Sequence, residues 1–372
     1  MPQLVQLVST ARGNELQLQT RLRRDYPDRL VRAAFALCDL RRKAVHKFSR
    51  AGAMWFDRQG FEQATAEPVS LHKAQRFTGE VLDLCSGIGG DSIALARNGC
   101  QVTAVDLNPA QGLRTEWNAE AYDVAGRIVT ECRDVELITE RSGLVHIDPD
   151  RRRQSAAARA IRVEDYVPGI EFLQRLTTEF RGGAIKLSPA SNFGGKFPEA
   201  EVELISLSGE CKEATIWFGD LRGTEAWRAT VLPSGETLSG NPLDFYAEQA
   251  SVEAFVFDPD PAVVRSGLVD AAALKLGLSR LDREEEYLTG GSAVVSPFVQ
   301  AFEVLADLPN NATEIREWFR TSKAGQVEIK CRHIPIEADA VRRKLPLPGN
   351  EPVVLIFARI GGKARALVCR RV

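Results

Sequence analysis

Apolar residues recur every three or four positions from about residue 15 to residue 75. The segment LVRAAFALCDLRRKAVHKF shows this spacing, with basic residues in the positions between. A period near 3.6 is typical of amphipathic helices that bury one face. The next segment, GFEQATAEPVSLHKAQRF, continues the helical pattern after Pro68. Residues 1–75 are therefore predicted to form an N-terminal helical unit.

Between residues 80 and 220, short apolar runs alternate with helical patterns. The predicted strands are EVLDLC, QVTAVDL, RIVTECRDV, LVHIDPD and GGAIKLSP. Strands separated by helices predict an α/β fold with a parallel sheet and right-handed crossovers. Two later segments, EVELISLSGECKEATIWFGD and ATVLPSGETLS, predict hairpins because turn residues divide them. The first of these hairpins would add an antiparallel edge to the sheet.

A second α/β pattern begins after about residue 250. The segment AFVFDPDPAVVRSGLVDAAALKLGL predicts a strand, a proline-initiated turn and a helix. Further strands are predicted for QAFEVLADLP, VEIKCRHI and PVVLIFARIGGKARALVC, with helices at 312–323 and 337–345. We therefore expect three domains, at 1–75, 76–245 and 246–372.

The composition is that of a water-soluble globular protein. Of the 372 residues, 44% are hydrophobic and 26% are charged. The chain has no apolar run of the roughly 20 residues that span a bilayer, and its first residues lack the order of a signal peptide. Seven cysteines without a CxxC pair indicate neither a disulfide framework nor a zinc site. We expect a cytoplasmic protein without a membrane or metal partner.

Positive charge is concentrated at the two ends of the chain. Residues 1–50 carry a net charge of +7 and residues 327–372 carry +6, whereas the remainder carries −15. Because phosphate backbones are bound largely through Lys and Arg, this pattern predicts contact with a polyanion such as RNA. Solvated helix faces are the alternative explanation for the same pattern.

The segment LCSGIGGD, residues 84–91, has three glycines between a predicted strand and a predicted helix. Glycines at such a turn let a ligand approach the backbone and the free N–H groups of the helix. A dinucleotide site would need Gly-x-Gly-x-x-Gly. Here the order is Gly87-Ile88-Gly89-Gly90, and the carboxylate of Asp91 would repel a pyrophosphate.

Asp83 precedes the first glycine by four residues and gives the pattern D-x-x-x-G-x-G. This pattern resembles motif I of the class I S-adenosylmethionine-dependent methyltransferases, whose cofactor carries an ammonium and a sulfonium. The resemblance implies a Rossmann-like sheet and a cofactor site. Its predicted members are Asp83, Cys85, Gly87, Gly89, Gly90, Asp106, Leu107 and Asp134. Asp106 ends the next strand, where an acid can accept hydrogen bonds from ribose hydroxyls, and Asp134 is expected near the adenine amine.

The fourth strand is followed by Asp148, Pro149, Asp150 and Arg151. Methyltransferases that modify nucleic-acid bases commonly carry Asn/Asp-Pro-Pro-aromatic here, which orients an exocyclic amine. The first two residues match, whereas Asp150 replaces the second proline and Arg151 replaces the aromatic residue. We expect Asp148 to position the nucleophile, and Asp150 and Arg151 to shape the acceptor pocket.

The run VLDLCSGIGGDSIALA…VTAVDLNP…NAEAYDVAGRI…HIDPD is similar to the trimethylguanosine synthases over about residues 58–150. In that family a cap closes over cofactor and substrate, which implies a cofactor role for Thr65. The downstream Pro-Pro-Trp-Gly-Gly that holds a cap guanine there is absent here.

Nearly the full chain resembles a bacterial group of class I methyltransferases with a THUMP-like C-terminal domain. The N-terminal matches are Arg42-Lys43-Ala44, Lys47-Phe48 and Glu62-Gln63-Ala64-Thr65, and the C-terminal match is VEIKCRHIPIEADAVRRKLPLPG…VVLIFARIGGKARALVCRRV. THUMP domains belong to RNA-modifying enzymes. The resemblance implies an α+β C-terminal domain and methyl transfer to a base in structured RNA, such as rRNA or tRNA.

Two alternatives stay open at this point. Pyrimidine C5-methyltransferases can carry Asp-Pro-Pro-Arg at this strand, but they need a cysteine nucleophile, for which Cys211 is the downstream candidate. A catalytically silent RNA-binding protein could also retain the methyltransferase fold. The intact Asp83, Gly87, Gly89 and Asp106 argue against that second alternative.

Overall fold

The computed structural model describes residues 1–139, 143–151 and 162–372, with the backbone only at Arg151. Its helices are α1 (Pro2–Thr10), α2 (Glu15–Leu22), α3 (Asp28–Ala44), α4 (Arg58–Gln63), α5 (Glu67–Ala74), α6 (Gly90–Arg97), α7 (Pro109–Ala121), α8 (Ile170–Glu179), α9 (Pro261–Arg265), α10 (Val269–Leu276), α11 (Ala312–Thr321) and α12 (Ala338–Arg342). None of the helices in these ranges has both the length and the apolar character needed to cross a bilayer.

The strands extend from residue 80 to the end of the chain. They are β1 (Glu80–Leu84), β2 (Gln101–Asp106), β3 (Ile128–Cys132), β4 (Leu144–Ile147), β5 (Asp150–Arg151), β6 (Tyr166–Val167), β7 (Gly182–Leu187), β8 (Glu201–Leu207), β9 (Glu210–Gly219), β10 (Trp227–Leu232), β11 (Glu236–Gly240), β12 (Phe255–Pro259), β13 (Ser279–Arg280), β14 (Leu288–Gly290), β15 (Val299–Pro309), β16 (Ala324–Cys331), β17 (Glu351–Ile360) and β18 (Lys363–Arg371).

The chain divides into two compact units. The first unit comprises Met1–Ala200 and Ala214–Gly223, and the second comprises Glu201–Glu213 and Thr224–Val372. The division into three domains that we draw from the sequence remains a prediction.

Helices α1 to α5 open the first unit, as the periodic pattern predicts. Helix α2 begins at Asn14, whose side chain accepts hydrogen bonds from two backbone N–H groups of the first turn. Along α3, Val31, Ala34 and Leu37 are buried on one face at spacings of three residues. This face packs into the same core as the helices that flank the sheet.

The sheet of the first unit has the strand order β9-β7-β4-β1-β2-β3. Strands β3, β2, β1, β4 and β7 pair in parallel, and β9 pairs antiparallel with β7. Helices α6, α7 and α8 lie in the connections between these strands. The predicted parallel sheet is confirmed, and the carboxyl ends of its strands therefore share one edge.

Two local differences from the sequence prediction matter for that edge. Strand β3 ends at Cys132, because the side chain of Asp134 accepts the N–H of Glu136 and starts a short 3₁₀ turn. Strand β4 ends at Ile147, and the following residues enter the short β5, which pairs antiparallel with β6. Neither β5 nor β6 was predicted from the sequence.

The second unit contains β8 paired in parallel with β10, and β10 paired antiparallel with β11. The β10–β11 pair confirms the hairpin predicted for ATVLPSGETLS. A seven-stranded sheet follows, in the order β13-β14-β12-β15-β18-β17-β16. All its pairs are antiparallel except β16–β17. Helix α11 packs Ile315 and Phe319 against this sheet, which makes the C-terminal part α+β as expected.

Candidate active site

A cavity of about 760 Å³ opens in the first unit at the carboxyl edge of the parallel strands. Eleven of the predicted site residues line it: Thr65, Asp83, Cys85, Gly87, Gly90, Asp106, Leu107, Asp134, Asp148, Pro149 and Asp150. Gly89 belongs to the same turn but is not a wall residue, and the side chain of Arg151 lies outside the described part of the chain. The sequence thus predicted residues that share one cavity, and their individual roles remain predictions.

The glycine turn depends on backbone conformations that side chains rarely adopt. Gly87 and Gly89 have φ values of +55° and +84°. A Cβ atom at Gly89 would lie 2.8 Å from Cγ2 of Thr115, whereas the corresponding position at Gly87 is open. The hydroxyl of Thr115 donates to the carbonyl oxygen of Gly87 at 3.0 Å. Thr115 on α7 therefore fixes the turn through this hydrogen bond. Gly87 lines the cavity with backbone that no side chain covers.

Asp106, at the end of β2, binds two backbone N–H groups at the edge of the sheet. Its Oδ2 accepts the N–H of Gly87 at 2.9 Å, and its Oδ1 accepts the N–H of Asn108 at 2.8 Å. Each oxygen retains a lone pair for a further donor, such as a ribose hydroxyl. Leu107 follows with 70% of its side chain exposed and offers an apolar surface at the same edge.

Asp83 is only 1% exposed, and its two oxygens are bound by the protein itself. Nδ1 of His146 lies 2.7 Å from Oδ1, and the hydroxyl of Ser92 donates to Oδ2. We assign the proton of His146 to Nδ1 from this contact. The Nε2 atom then accepts from Lys73, whose Nζ is 3.4 Å away.

The same lysine connects this pair to the segment that precedes β1. Nζ of Lys73 is 2.8 Å from Oδ1 of Asp91, and the hydroxyl of Thr65 donates to Oδ2 of Asp91 at 2.7 Å. Lys73 and Asp91 are both buried, and the lysine and its neighbours hold the pKa of Asp91 well below its ordinary value against the effect of burial. Lys73 and His146 were not predicted as site residues, although each stands inside a quoted segment.

A further part of the cavity wall is formed by Asp148, Asp150, Lys186 and Gln63. Nζ of Lys186 lies 2.6 Å from Oδ2 of Asp148, and the side-chain amide of Gln63 donates to Oδ1 of Asp150 at 2.9 Å. Burial raises the pKa of Asp148, and Lys186 opposes that effect. Lys186 and Gln63 were missed because they come from β7 and α4, far from Asp148 in sequence.

The cavity wall is strongly acidic. Its carboxylates belong to Glu62, Asp83, Asp91, Asp106, Asp134, Glu136, Asp148 and Asp150. Lys186 is the single lysine or arginine among the lining residues that the structure describes. Such a wall stabilises a cationic ligand and repels an anionic one.

An uncharacterized S-adenosylmethionine-dependent methyltransferase from two strains of Mycobacterium tuberculosis is similar to this chain. This chain and the relative are 33% identical over 349 residues, which cover 89% of this chain and 94% of the relative. The chain belongs to the S-adenosylmethionine-dependent methyltransferases. S-adenosylmethionine is accordingly its cofactor.

Two family models match separate segments of the methyltransferase, and a solved structure matches nearly all of it. Residues 78–155 match the family model of RNA cap guanine-N2 methyltransferases, and residues 299–371 match a THUMP domain-like model. A crystal structure described as a candidate methyltransferase from Porphyromonas gingivalis W83 superposes with a TM-score of 0.77 at 18% identity. It covers 99% of this chain and 94% of its own. The predicted class I fold with a THUMP-like C-terminal domain is thereby confirmed.

The residues of the methyltransferase fit its cofactor. S-adenosylmethionine carries an ammonium and a sulfonium, and the acidic wall near the glycine turn suits both charges. The open Cβ position at Gly87 leaves the backbone accessible. Asp106 has acceptor capacity left for hydroxyl groups, and Leu107 offers an apolar face for an aromatic ring. We propose these residues as the cofactor contacts.

Neither Cys211, the candidate nucleophile, nor Cys85, which lines the cavity, provides a thiolate near pH 7. Burial raises the pKa of Cys211 to about 12, and Cys211 is not a wall residue of the cavity. Cys85 lines the cavity, but burial and the surrounding carboxylates raise its pKa well above the ordinary value. Both groups are neutral thiols near pH 7 and therefore poor nucleophiles.

Proposed function

We propose that this methyltransferase transfers a methyl group to a nitrogen of a base in RNA. The observation that carries the proposal is the free oxygen of Asp148. Oδ2 is paired with Lys186, whereas Oδ1 has no hydrogen-bond partner among the described residues and belongs to a cavity-lining side chain. A carboxylate oxygen in that position can accept an N–H of an exocyclic amine.

The cofactor supplies an electrophilic methyl group when it is bound. The chain's own contribution is to hold the acceptor in line with that group and to exclude water, which is how enzymes gain most in such displacements. In this proposal Asp148 orients the N–H, and Pro149 and Asp150 shape the pocket around the base. The role in shaping the pocket that the sequence predicts for Arg151 remains a prediction. Tyr166 and Pro168 add ring surfaces to the same wall.

The RNA part of the proposal has support from the family comparisons and from surface charge. The chain matches a model of RNA cap guanine-N2 methyltransferases and a THUMP domain-like model. An acidic cavity repels phosphate, so the backbone must be bound elsewhere. Exposed cations that make no ion pair with described residues include Arg343 and Lys344 beside α12, and Arg24 and Arg29 near α3.

Many of the terminal basic residues are already paired with acids. Arg332 with Asp258, Arg365 with Asp307, Arg370 with Glu303 and Arg371 with Glu328 are examples from the C-terminal part. The net charges counted from the sequence therefore overstate the positive charge that is free to meet phosphate. The proposal assigns the contact with RNA to the unpaired cations.

Mass spectrometry of nucleosides tests the proposed function. RNA from a strain without the gene should lack one methylated nucleoside, and the purified protein with S-adenosylmethionine should restore it. Asp148→Ala should bind RNA and the cofactor but leave the nucleoside unmodified. An unchanged nucleoside profile together with methylation of a protein would overturn the choice of RNA.

The position of Cys211 outside the cavity wall argues against the second candidate, a cysteine-dependent transfer to pyrimidine C5. That candidate predicts that Cys211→Ala abolishes the reaction, whereas the neutral state of that thiol predicts full activity. A covalent RNA–protein adduct that disappears in Cys211→Ala would favour this second candidate.

A further inference from the structure

Lys186 lies in β7 and lines the cavity, with its ammonium group beside Asp148. Nζ is 2.6 Å from Oδ2 of Asp148 and 3.5 Å from the carbonyl oxygen of Gln63. The side chains of Lys186 and Asp148 are 15% and 30% exposed. Both residues line the cavity, so the pair is formed at the wall where the acceptor base is proposed to bind.

The two oxygens of Asp148 are in different situations. Oδ2 is fixed by Lys186, and Oδ1 has no hydrogen-bond partner among the described residues. The backbone N–H of Asp148 donates to the carbonyl oxygen of Leu84, which fixes the main chain at the end of β4. With one oxygen and the backbone held, the remaining oxygen has a defined direction.

The charges around Asp148 come from several elements. Lys186 on β7 and Lys73 on α5 stabilise its anion, whereas Asp91 on α6 opposes it. Cys85 and Asp150 lie on the same wall, and His146 precedes Asp148 on β4. Burial is the largest influence and raises the pKa of Asp148 above its ordinary value. Among the groups that lower this pKa, Lys186 has the largest effect.

We propose that Lys186 is a positioning residue for methyl transfer, which holds Asp148 by Oδ2 and keeps it charged so that Oδ1 can take the acceptor's proton. This inference rests on the proposed function. As the acceptor nitrogen forms its bond to the methyl carbon, the carbon–sulfur bond breaks and its electron pair goes to sulfur. The proton leaves the nitrogen for Oδ1 of Asp148, and Lys186 keeps its own protons throughout.

Three variants separate the charge of Lys186 from its bulk. Lys186→Met keeps the length of the side chain without the charge, Lys186→Arg keeps the charge, and Lys196→Met removes a lysine–carboxylate pair with Glu164 elsewhere in the first unit. The probe is RNA from the gene-deletion strain with tritiated S-adenosylmethionine, and kcat and KM are measured from pH 5 to pH 9.

Lys186→Met should lower kcat at neutral pH by at least about tenfold, since general acid–base help is typically larger than this. The pH at which kcat falls on the acidic side of the profile should be higher in Lys186→Met than in the wild type, because Asp148 without Lys186 ionises less readily. Lys186→Arg should keep the acidic side of the pH profile close to that of the wild type. Lys196→Met should leave kcat and KM unchanged. An unchanged acidic side of the profile in Lys186→Met, with wild-type kcat, overturns the inference.

A second measurement does not depend on activity. The pKa of Asp148 is raised by folding, so its ionisation lowers stability as the pH rises, and removal of Lys186 enlarges that loss. The Tm difference between the wild type and Lys186→Met should therefore be larger at pH 7 than at pH 4, while cofactor affinity by calorimetry stays within about twofold. A Tm difference that does not change with pH counts against the charge pairing.

The two proposals fail in different ways. A wild-type protein that methylates no RNA overturns the proposed function, and the positioning role of Lys186 in that reaction is overturned with it. A wild-type protein that methylates RNA, combined with a Lys186→Met variant of unchanged pH profile, overturns the role of Lys186 alone.

Discussion

The hydroxyl of Thr65 donates to Oδ2 of Asp91 at 2.7 Å, which ties the segment before β1 to the first helix after the glycine turn. The carbonyl oxygen of Thr65 also lies 3.5 Å from where a Cβ atom of Gly90 would stand. Two elements of the cavity wall that are separated in sequence are thus joined by a buried hydrogen bond. This relationship makes the Thr65 segment the first part of the site to test.

Thr65→Val should weaken cofactor binding and loosen the segment that carries it. The substitution keeps the shape of the side chain but leaves an oxygen of Asp91 without its donor, at a cost of about 1–3 kcal/mol. Calorimetry with S-adenosylmethionine should show a higher Kd, and backbone amides of residues 58–66 should exchange faster. Thr65→Ser, which retains the hydroxyl, is the matched control. Equal affinity in all three proteins would contradict the prediction.

Asp106→Ala should reduce the affinity for S-adenosylmethionine by at least about tenfold, because two charge-assisted hydrogen bonds to the backbone are lost. The amides released are those of Gly87 and Asn108, which shape the turn. Asp220→Ala is a suitable control, since Asp220 pairs with Arg181 on the exposed surface. Calorimetry measures the Kd for S-adenosylmethionine in each protein. A wild-type Kd in Asp106→Ala would show that Asp106 does not contribute to cofactor binding.

Gly89→Ala should destabilise the first unit. A left-handed backbone with a side chain costs roughly 1–2 kcal/mol, and the new Cβ would press against Thr115. Gly99→Ala measures the backbone strain without a steric contact, because Gly99 has φ of +99° with no atom within 4 Å of its Cβ position. Denaturant unfolding should show a larger loss for Gly89→Ala, and Thr115→Ser should recover part of it. Identical losses at the two glycines would exclude the contact.

Asp91→Asn should cost about 3–5 kcal/mol at neutral pH, because it leaves the buried Lys73 without its counter-charge. The pKa of Asp91 is lowered by folding, so its contribution is present above the ordinary aspartate value and is lost as the pH falls toward the folded one. The difference in unfolding free energy between wild type and variant should therefore be constant above about pH 5 and shrink below about pH 4. A difference that grows on acidification would contradict this assignment.

Removal of Arg343 and Lys344 together by alanine should flatten the salt dependence of RNA binding. Each phosphate contact contributes slightly less than one unit to the slope, so the slope should fall by up to about two. Arg365→Ala with Arg370→Ala is the matched control, because those side chains are paired with Asp307 and Glu303. Filter binding at several salt concentrations measures the salt slope of RNA affinity for each double variant. An equal decrease of the slope in the two double variants would contradict a role for unpaired charge.

The sequence was informative wherever the site is built locally. Asp83, Gly87 and Asp106 follow from a strand, a turn and the next strand, and a short stretch of chain determines their relative positions. Lys73 and Lys186 could not be found in this way, because their distances to Asp91 and Asp148 depend on packing between separate elements. The periodicity of apolar residues does not predict how separate elements pack against each other.

For a related reason, charge counted from the sequence does not identify which basic side chains are unpaired. The terminal segments have the net charges that the sequence predicts, but several of their arginines are paired with acidic side chains on neighbouring strands. Arg370 and Glu303, for example, stand opposite each other on β18 and β15. Such register partners become known only once the sheet is assembled, whereas the parallel pairing of strands could be predicted from the alternation of strand and helix patterns.

The two backbone amides on Asp106 have a consequence for how fast and how tightly a ligand is captured. The turn obtains its shape from contacts within the protein, through Asp106 on one side and Thr115 on the other. A ligand that enters such a preorganised turn loses little binding free energy to ordering of the main chain. Association should therefore follow a single bimolecular phase, because no slow rearrangement of the turn has to precede it.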